Sequence, residues 1–534
     1  MTSNTVRESR RWLILGALCL ALLVLMIDST VLTIAIPSLI RELDATPSDI
    51  QWILDSYVLV FAGLLLTAGS LSDRFGRRRM LILGLIVLAA GSLAAVSADE
   101  PWQLISSRVI MGVGGALLMP STLSILMTTF DESERRMALA VWSAVSILGI
   151  VAGPVLGGLL LEHYWWGSVF LLNIPVVGLA ITAALVLMPE TAGERSPIDG
   201  VGVVLSVVAL TSAVYLIIER EGNPVVVGLA AMTAAAFVLW ERRRDHPMLP
   251  LNLFANREFT GICATVLLMV FGMGAVTLML TQYLQFVLGF GPMKAGLALL
   301  PYALAGAVCN GIGATLGRNL TNATLMVAGL SVMAVGFTVL ATGTGYLWVL
   351  TGMLIMGMGG GLAGPAGYAA VLNAVPLRHA GVGSALNDTL QQVGVALSIA
   401  ILGSVLAEVF TSRMPAEAPS AARESIGAAL ELGYTADAKA AFAGAVSMGA
   451  WVSVGFCVAG ALVGLLLLRP RPAAANPAPP GARTGVGPAV DAAIVAAGTT
   501  GTACAMRDFS RGRSRHRRSW PPRRRRDPSP CSPR

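Results

Sequence analysis

The sequence contains little charge for its length. Only 13% of its 534 residues are Asp, Glu, Lys or Arg, and 55% are hydrophobic, whereas soluble domains carry about 25% charged residues. A soluble core could not bury this much apolar surface, so the scarcity of charge indicates that lipid is the solvent for most of the chain. The net charge of +7 comes from the arginine-rich residues 469–534, and the remainder is slightly acidic.

Several patterns that carry chemistry are also missing. Four of the six cysteines, Cys19, Cys263, Cys309 and Cys457, lie far apart in apolar segments, which excludes a disulfide framework and a metal site of the usual spacing. No Gly-x-x-x-x-Gly-Lys-Ser/Thr loop occurs, so ATP is not expected to bind. No hydrolase serine motif occurs either. We therefore expect neither an enzyme nor a bound cofactor.

Long apolar runs are what the sequence has in abundance. Each run is about 20 residues long, enough for a helix to cross roughly 30 Å of hydrocarbon. The runs are continuous and do not alternate with polar residues, which favours helices over a barrel. We predict an all-α integral membrane protein with about fourteen transmembrane helices, near residues 12–36, 50–71, 80–98, 103–126, 137–161, 167–188, 200–218, 223–240, 258–280, 293–316, 322–342, 345–372, 382–410 and 441–468.

Basic residues are divided unequally between alternate loops. One set of loops and flanks contains most of them: Arg7, Arg10, Arg11, Arg74, Arg77 to Arg79, Arg135, Arg136, Arg195, Arg242 to Arg244, Arg257, Arg318 and Arg378. The opposite set contains only Arg41, Arg220, Lys294, Arg413, Arg423 and Lys439. Because cytoplasmic loops are enriched in Lys and Arg, we expect both termini in the cytoplasm and a multi-pass protein of the cell membrane.

A weak internal repeat suggests two related halves. The segment from Gly69 to Arg74 has the same glycine-to-arginine spacing as the segment from Gly313 to Arg318. Such repeats are common in secondary transporters. We predict a cytoplasmic N-terminus (1–11), an N-terminal six-helix half (12–188), a two-helix insertion with a cytoplasmic linker (189–257), a C-terminal six-helix half (258–468) and a cytoplasmic tail (469–534).

The tail differs from the rest in composition. It is rich in Pro, Ala and Gly and then in Arg, so we expect it to be disordered. Three interpretations of the tail are open. It is attracted to anionic lipid, it contacts nucleic acid nonspecifically, or it is an inert extension. We favour the inert extension, so nucleic acid is not an expected partner, whereas membrane lipid is.

A charged glycine motif lies between the second and third predicted helices. Its candidate gate residues are Gly69, Asp73, Arg74, Gly76, Arg77 and Arg78. We expect Asp73 to accept hydrogen bonds from backbone N–H groups at a neighbouring helix N-terminus, where negative charge is favoured. An ordinary positive-inside anchor is the alternative, because the run of arginines alone would serve that purpose.

The fifth predicted helix contains Gly149, Gly153, Gly157 and Gly158. Their spacing gives one helix face without side chains, which another helix can approach closely, and Pro154 is expected to bend the helix. Generic tight packing is the alternative interpretation.

Ionisable residues inside the predicted spans are few. Asp28, Asp55 and Arg108 lie at similar depths in the first, second and fourth helices, and each is a functional candidate by default. We expect one network in which Arg108 neutralises one carboxylate and leaves the other able to exchange protons. The alternative for Asp55 is a water-exposed residue at the membrane interface.

Apolar and aromatic walls with a few polar groups are expected around a small-molecule cavity. The candidates for this cavity are Tyr57, Trp142, Phe271, Gln282, Tyr283, Asp388 and Gln391. Helix packing is the competing interpretation of each aromatic residue.

Four ordered motifs resemble those of the major facilitator superfamily. They are Gly69-x-Leu-x-Asp73-Arg74-x-Gly76-Arg77-Arg78, Arg108-x-x-x-Gly112-x-Gly114-Gly115-Ala116, Gly149-x-x-x-Gly153-Pro154-x-x-Gly157-Gly158 and Asp28-Ser-Thr30-Val-Leu-Thr-Ile-Ala-Ile-Pro37. The last resembles the first-helix pattern of the fourteen-helix drug:proton antiporters of the EmrB/QacA type. The resemblance spans about residues 10 to 470.

This resemblance implies a proton-coupled exporter of small amphipathic molecules that works by alternating access. It implies proton exchange at Asp28 and, as a second candidate, Asp55, tuning by Arg108, and a cytoplasmic gate latched by Asp73 and Arg74. It also implies that the fifth-helix face seals the cavity against leak. Members often have a basic residue near Gln391, and some multidrug members carry an acid in that helix. This chain has Asn387, Asp388, Gln391 and Gln392 instead, and that departure does not support a strictly cationic substrate preference.

Three other functions stay open at this stage. A dedicated exporter of one native metabolite or self-made antibiotic is the first, and a non-transporting membrane sensor or scaffold is the second. An importer is the third, and the glycine face of the fifth helix disfavours it.

Overall fold

The computed structural model describes residues 2–192, 199–219, 223–244, 251–274, 276–317, 320–374 and 380–468. Within these residues the chain forms nineteen α-helices and no strand. Arg195, Arg220, Arg318 and Arg378, like the predicted tail at 469–534, lie outside the described residues, so the expectations for them stay predictions.

The first seven helices make up the N-terminal part of the bundle. They are α1 (Thr2–Glu42), α2 (Pro47–Phe75), α3 (Arg77–Val96), α4 (Pro101–Thr129), α5 (Glu132–His163), α6 (Ser168–Leu171) and α7 (Asn173–Leu187). The start of α2 shows why these boundaries fall where they do. Thr46 and Asp49 form a reciprocal capping box, and Pro47 occupies the first turn, where its missing N–H costs nothing.

Two further helices, α8 (Gly200–Ile218) and α9 (Pro224–Arg243), form a pair. At the end of α8, Glu219 accepts hydrogen bonds from the Ser48 hydroxyl at 2.7 Å and from the Trp52 indole N–H at 2.8 Å, both on α2. Ser404 donates to the Ile217 carbonyl at 2.9 Å. The α8 helix therefore contacts both the N-terminal and the C-terminal parts of the bundle.

The remaining helices form the C-terminal part. They are α10 (Arg257–Gly274), α11 (Val276–Gln282), α12 (Pro292–Ala298), α13 (Leu300–Leu316), α14 (Asn322–Thr342), α15 (Tyr346–Ala374), α16 (Ala380–Arg413), α17 (Ser420–Glu424), α18 (Ile426–Glu431) and α19 (Thr435–Leu467). A 3₁₀ turn at Leu251–Ala255 precedes α10, and a π-helical turn at Tyr283–Val287 follows α11.

Thirteen membrane spans meet the length and hydropathy requirements among the described residues. They correspond to thirteen of the fourteen predicted spans. The predicted span at 258–280 corresponds to α10 and α11, which flank residue 275, a position outside the described residues. The all-α membrane fold is confirmed, and the helices α1, α5, α16 and α19 extend several residues beyond the predicted limits.

The buried apolar residues fall into two main clusters. One is formed mainly by α1 to α8, and the other mainly by α10 to α19. Leu278 and Ala396 from the C-terminal part join the first cluster, and Ile34 from α1 joins the second. Each part of the bundle thus has its own core, with a few residues shared where the two parts meet.

Close glycine contacts reveal the internal repeat more clearly than the sequence does. A Cβ atom at Gly114 on α4 would lie 2.8 Å from the carbonyl oxygen of Gly84 on α3. A Cβ atom at Gly359 on α15 would lie 2.5 Å from the carbonyl oxygen of Gly329 on α14. Both members of the second pair follow those of the first by 245 residues. The loop match between Gly69 and Gly313 is offset by one residue from this register.

The repeat extends to the neighbouring contacts. A Cβ atom at Gly112 would lie 2.7 Å from the carbonyl oxygen of Tyr57, and one at Gly357 would contact the carbonyl oxygen of Tyr302. These residues follow the same 245-residue interval. The α2–α3–α4 and α13–α14–α15 groups therefore pack with the same contacts, and the two parts are structural repeats.

Gly114→Leu should destabilise the fold, because the new side chain would collide with the backbone of α3, which cannot rotate away as a side chain can. Overpacking of this kind costs about 1–3 kcal/mol. Gly178→Leu is the matched control, since nothing lies within 4 Å of a Cβ atom there. Thermal denaturation followed by size-exclusion chromatography in detergent measures both variants. Equal melting temperatures for Gly114→Leu and Gly178→Leu would contradict the packing described here.

Candidate functional site

A buried ion pair joins α1 to α4. Nη1 of Arg108 donates to Oδ2 of Asp28 at 2.9 Å, and the two side chains are 2% and 0% exposed. A charge removed from water in this way needs a close partner and further hydrogen bonds to be tolerated. The pair therefore fixes α1 against α4 as long as both residues are ionised.

The second oxygen of Asp28 is also satisfied. Nδ2 of Asn173, at the start of α7, donates to Oδ1 of Asp28 at 2.9 Å and to Oγ of Ser92 on α3 at 3.0 Å. Asn173 and Ser92 are both fully buried. Asp28 is thus the centre of a polar cluster that joins α1, α3, α4 and α7.

Arg108 has two further contacts, both with α2. Its Nε donates to the carbonyl oxygen of Ile53 at 3.3 Å, and its guanidinium carbon lies 4.1 Å from the centre of the Tyr57 ring. Cation–π contacts of this kind contribute about 0.5–2 kcal/mol. The arginine therefore connects the Asp28 cluster to α2, about two to three turns after that helix begins at Pro47.

Asp55 is placed differently from its predicted partners. It is fully buried on α2, so the interpretation of a water-exposed interfacial residue does not fit. Neither of its carboxyl oxygens has a hydrogen-bond partner among the described residues. The structure brings Asp28 and Arg108 together, but it does not bond Asp55 to either of them.

The internal repeat shows that this charge cluster belongs to one half only. The position equivalent to Arg108, 245 residues later, is occupied by the buried Met353, and the position equivalent to Asp55 by Leu300. Tyr57 by contrast has Tyr302 as its equivalent. The packing glycines are thus shared by both halves, whereas the buried charges are not. This difference separates what the fold requires from what the N-terminal half adds.

The predicted gate motif forms a compact structure at the junction of α2 and α3. Nη2 and Nε of Arg77 both donate to Oδ1 of Asp73, at 2.7 and 2.9 Å, and Nη1 donates to the carbonyl oxygen of Ser124 on α4 at 3.4 Å. The expectation that Asp73 accepts backbone N–H groups of a neighbouring helix is therefore wrong. The arginine side chain on the following helix is the nearer donor and occupies the carboxylate.

The turn of the motif depends on Gly76. Its φ of +106° lies in the region that favours glycine, and a Cβ atom there would collide with the carboxylate of Glu190. Glu190, just after α7, also accepts a hydrogen bond from the backbone N–H of Arg78 at 3.2 Å. The guanidinium of Arg74 lies over the exposed Phe75 ring at 5.6 Å. Gly69 makes one ordinary contact, with Pro120 on α4.

The glycines of α5 form the predicted bare face, and it packs on α1. Cβ atoms at Gly149, Gly153 and Gly157 would collide with Met26, Thr30 and Val31 respectively. Gly158 lies on the other side, where a Cβ atom would be 2.6 Å from the carbonyl oxygen of Pro292 on α12. The motif therefore serves two contacts, one within the N-terminal half and one between the halves. Pro154 also belongs to the second contact, because its carbonyl faces Gly296.

The structure shows contacts for several of the predicted cavity residues, and their shared role in a cavity stays a prediction. Tyr57 belongs to the Arg108 cluster, and Phe271 is stacked on Phe456 with ring centres 3.7 Å apart, which is a packing contact. The hydroxyl of Tyr283 accepts a hydrogen bond from the backbone N–H of Gly345 at 3.3 Å. Gln282 lines a small cleft that is formed by α1, α2, α11 and α16 to α19.

The other three cavity candidates are Trp142 on α5 and Asp388 and Gln391 on α16. Trp142 is half-buried on α5, and its indole N–H has no hydrogen-bond partner among the described residues. Asp388 accepts a hydrogen bond from Asn387 at 3.3 Å. Gln391 is exposed.

Sequence reasoning missed Asn173, Ser92 and Glu190. Asn173 was detectable in principle, because it is a strongly polar residue that opens an otherwise apolar helix. Ser92 carries no such signal, since serine often occurs in membrane helices with its hydroxyl bonded to its own backbone. Glu190 follows α7 in a loop, where a carboxylate is unremarkable.

Comparison with known proteins places the chain in a family. The profile of the Major Facilitator Superfamily matches residues 18–399. The multidrug efflux pump LfrA of Mycolicibacterium smegmatis is 33% identical over 444 residues, which cover 80% of this chain and 88% of LfrA. The methyl viologen resistance protein SmvA of Salmonella typhimurium is 33% identical over 442 residues, 79% of this chain and 89% of SmvA.

A third relative and a solved structure agree with this result. The tetracenomycin C resistance and export protein of Streptomyces glaucescens is 31% identical over 416 residues, 75% of this chain and 77% of that protein. The crystal structure of a bacterial homologue of the human lysosomal transporter Spinster, inward-facing and unoccupied, superposes with a TM-score of 0.63. The match covers 86% of this chain and 97% of the Spinster homologue. Because the two sequences are only 18% identical, the match is evidence for the fold alone.

Asn173→Ala should destabilise the protein, because Oδ1 of Asp28 would lose its donor in a buried site. An unsatisfied buried group costs about 1–3 kcal/mol, and more when it is charged. Asn252→Ala is the control, since Asn252 is exposed on the 3₁₀ turn before α10. Thermal unfolding in detergent measures both variants. A melting temperature for Asn173→Ala equal to that of the wild type would show that Asn173 does not support the ion pair.

Proposed function

Because the chain belongs to the major facilitator superfamily, we propose that it exports small amphipathic molecules, among them drugs and antibiotics, in exchange for protons. Its relatives are named as multidrug efflux, resistance and export proteins. The observation that carries the proposal is the buried pair of Asp28 and Arg108 between two membrane-spanning helices. Neither a cofactor nor ATP takes part in this proposal.

The orientation follows from the arginines. The end of the bundle with Arg10, Arg11, Arg77 and Arg78, called here the arginine-rich end, faces the cytoplasm in this proposal, and the opposite end faces the outside. Both termini are then cytoplasmic and the protein resides in the cell membrane. Two close contacts between the halves, at Gly158 with Pro292 and at Gly403 with Gln51, lie at the opposite end. The described state is therefore closed toward the outside.

Proton exchange at Asp28 gives the pair a second state. When Asp28 accepts a proton, its negative charge disappears and Arg108 loses its counter-charge. The contact between α1 and α4 then weakens, and so does the position of α1 against the bare face of α5. Protonation that changes a contact between helices biases the equilibrium between the two facing states, which is the requirement for coupling.

Asp55 is the second proton carrier in this proposal. An ionised carboxylate is costly to bury without a hydrogen bond or counter-charge, and Asp55 has neither among the described residues. We therefore assign it a protonated side chain in this state. A motion that gives Asp55 access to water would release that proton.

Asp28→Asn should abolish proton-driven efflux while leaving the protein in the membrane, because the amide cannot bind and release a proton. Purified protein in liposomes with an imposed pH gradient and a trapped pH dye measures the coupling. Lipophilic cations, neutral antibiotics and zwitterions are added in turn. Asp437→Asn is the control, since Asp437 is exposed in the first turn of α19.

Substrate-induced proton movement at the wild-type rate in Asp28→Asn would remove Asp28 from the mechanism. Movement with a single compound of the panel would favour a dedicated exporter. No movement with any compound, in folded wild-type protein, would contradict multidrug antiport.

Asp73→Asn tests the gate motif. The Asp73 side chain is 34% exposed, so its pair with Arg77 adds little to stability. A role in the exchange between facing states predicts instead a loss of transport of about fivefold or more, within the usual range of coupling free energies. Asp131→Asn is the matched control, because Asp131 also pairs with an arginine at the same end but lies outside the motif. Equal efflux rates in the two variants would reduce the motif to a membrane anchor.

A further inference from the structure

The α8 helix lies along one face of α2. Glu219, at the end of α8, accepts the indole N–H of Trp52, and the Trp52 ring lies 6.0 Å from the ring of Tyr215. Three turns further along α2, a Cβ atom at Gly63 would collide with the side chain of Val207 on α8. The α8 helix therefore covers α2 from Trp52 to Gly63.

The internal repeat shows the same helix face without such a cover. The α2 residues on the side of α8 are Trp52, Leu59 and Gly63, which share one face because they are seven and four residues apart. Leu59 is only 2% exposed. The equivalent residues, 245 positions later, are Leu297, Leu304 and Val308, and they are 42%, 57% and 63% exposed. The C-terminal half thus leaves open to lipid a face that α8 covers in the N-terminal half.

Asp55 lies at the edge of the covered face. It follows Gln51 by four residues and Trp52 by three, so its side chain lies between theirs on the surface of α2. Gln51 faces α16, because a Cβ atom at Gly403 would lie 2.6 Å from its Cδ atom. Trp52 faces α8. Asp55 is therefore directed toward the line along which α2, α8 and α16 meet.

The three helices close around this line. The Ser404 hydroxyl on α16 donates to the Ile217 carbonyl on α8 at 2.9 Å. Asp55 is fully buried, whereas Leu300, at the equivalent position of the other half, is only half-buried. A carboxyl group in contact with hydrocarbon would lose every polar partner, whereas leucine is stable there. The half with the acid is thus the half whose helix face is covered.

The charged groups on the neighbouring helices do not take over this role. Arg108 lies on the α4 side of α2, where it bonds to the Ile53 carbonyl and to Asp28. Glu219 lies one turn beyond Trp52 toward the start of α2. Neither carboxyl oxygen of Asp55 has a hydrogen-bond partner among the described residues.

We propose that α8, the first helix of the two-helix insertion, shields Asp55 from lipid throughout the transport cycle. The α8 helix is held to α2 by the Glu219 carboxylate, the Tyr215 ring and Val207, and to α16 by the hydrogen bond of Ser404. It therefore moves with α2 when α2 and α16 separate at the end opposite the arginine-rich end.

The shield determines where the proton of Asp55 goes. As α16 moves away, water enters between α2 and α16, and the Asp55 carboxyl group transfers its proton to that water and becomes a carboxylate. Contact with hydrocarbon would prevent this step, because a carboxylate is far less stable there than in water. This inference rests on the proposed function for proton exchange at Asp55 and for the orientation of the bundle.

A photoreactive lipid tests the cover. Full-length protein is placed in nanodiscs of phosphatidylcholine that carries a diazirine in its acyl chain, and the adducts formed on illumination are located by mass spectrometry. We expect adducts on residues 297–308 and on the exposed Val201 and Val204 of α8, but none on residues 52–63. The segment 297–308 is the matched control, because it is the structural equivalent of 52–63. Equal labelling of the two segments would overturn the proposal.

Cross-linking tests whether α8 moves with α2. Gly63→Cys and Val207→Cys form the first pair, because a Cβ atom at Gly63 would lie 3.4 Å from Cβ of Val207, close to the separation in a disulfide. Ile217→Cys and Ser404→Cys, closed by a short bifunctional thiosulfonate, form the matched pair between α8 and α16. Both pairs are made in a chain whose six native cysteines are replaced by alanine.

Ethidium-induced proton movement in liposomes is measured before and after each pair is closed. We expect the α8–α2 cross-link to change the rate by less than about twofold and the α8–α16 cross-link to lower it roughly tenfold or more, within the range of coupling free energies. A tenfold loss with the α8–α2 cross-link would show that α8 has to leave α2, which contradicts the proposal. An unchanged rate with the α8–α16 cross-link would contradict it as well.

The photolabelling does not depend on proton coupling. Lipid adducts on residues 52–63 in a protein that couples ethidium to protons would contradict the shield and leave the proposed function intact. Absence of proton movement before any cross-link is closed, in folded protein without adducts on 52–63, would contradict the proposed function and leave the cover of α2 intact.

Discussion

The burial of one ion pair constrains the rest of the N-terminal half. A carboxylate and a guanidinium removed from water cost several kcal/mol each unless they are close and fully hydrogen-bonded. Asp28 and Arg108 meet that condition only because α3 and α7 supply Ser92 and Asn173, and because α2 supplies a carbonyl and an aromatic ring. Two buried side chains are thus satisfied by groups drawn from five helices.

The internal repeat clarifies which features the fold itself requires. Glycines that allow α3 to touch α4, and α14 to touch α15, occur in both halves at the same interval. The buried charges do not, since Met353 and Leu300 occupy the positions equivalent to Arg108 and Asp55. Two repeats that pack alike therefore differ in chemistry, and the N-terminal one contains Asp28, Asp55 and Arg108.

The membrane helices were predictable because each is an uninterrupted apolar run, and the importance of Asp28 and Arg108 because charge is rare within such runs. The partner of Asp73 was not predictable from the sequence, because a helix N-terminus and a nearby arginine are both good donors. Only the packing decides between them. The sequence also does not decide which of the cavity candidates share a site. An aromatic residue in a span shows which helix it belongs to but not which neighbour it faces. Gln51 was not singled out from the sequence, because it lies in the first turns of α2, where a polar residue is expected at any membrane boundary.

The two contacts between the halves, α5 with α12 and α2 with α16, differ in kind, and this difference has a mechanical consequence. The tight glycine contacts within each half, such as Gly84 with Gly114 and Gly329 with Gly359, make each half move as a rigid body. Movement of one half relative to the other must then occur at these two contacts. Between α5 and α12, glycines lie directly against the partner's backbone, whereas between α2 and α16 the Gln51 side chain lies against Gly403 and α8 bonds to both helices. Separation of the halves along α2 and α16 therefore requires hydrogen bonds of Glu219 or Ser404 to break, so α8 is a physical link that has to be released before the halves can part there.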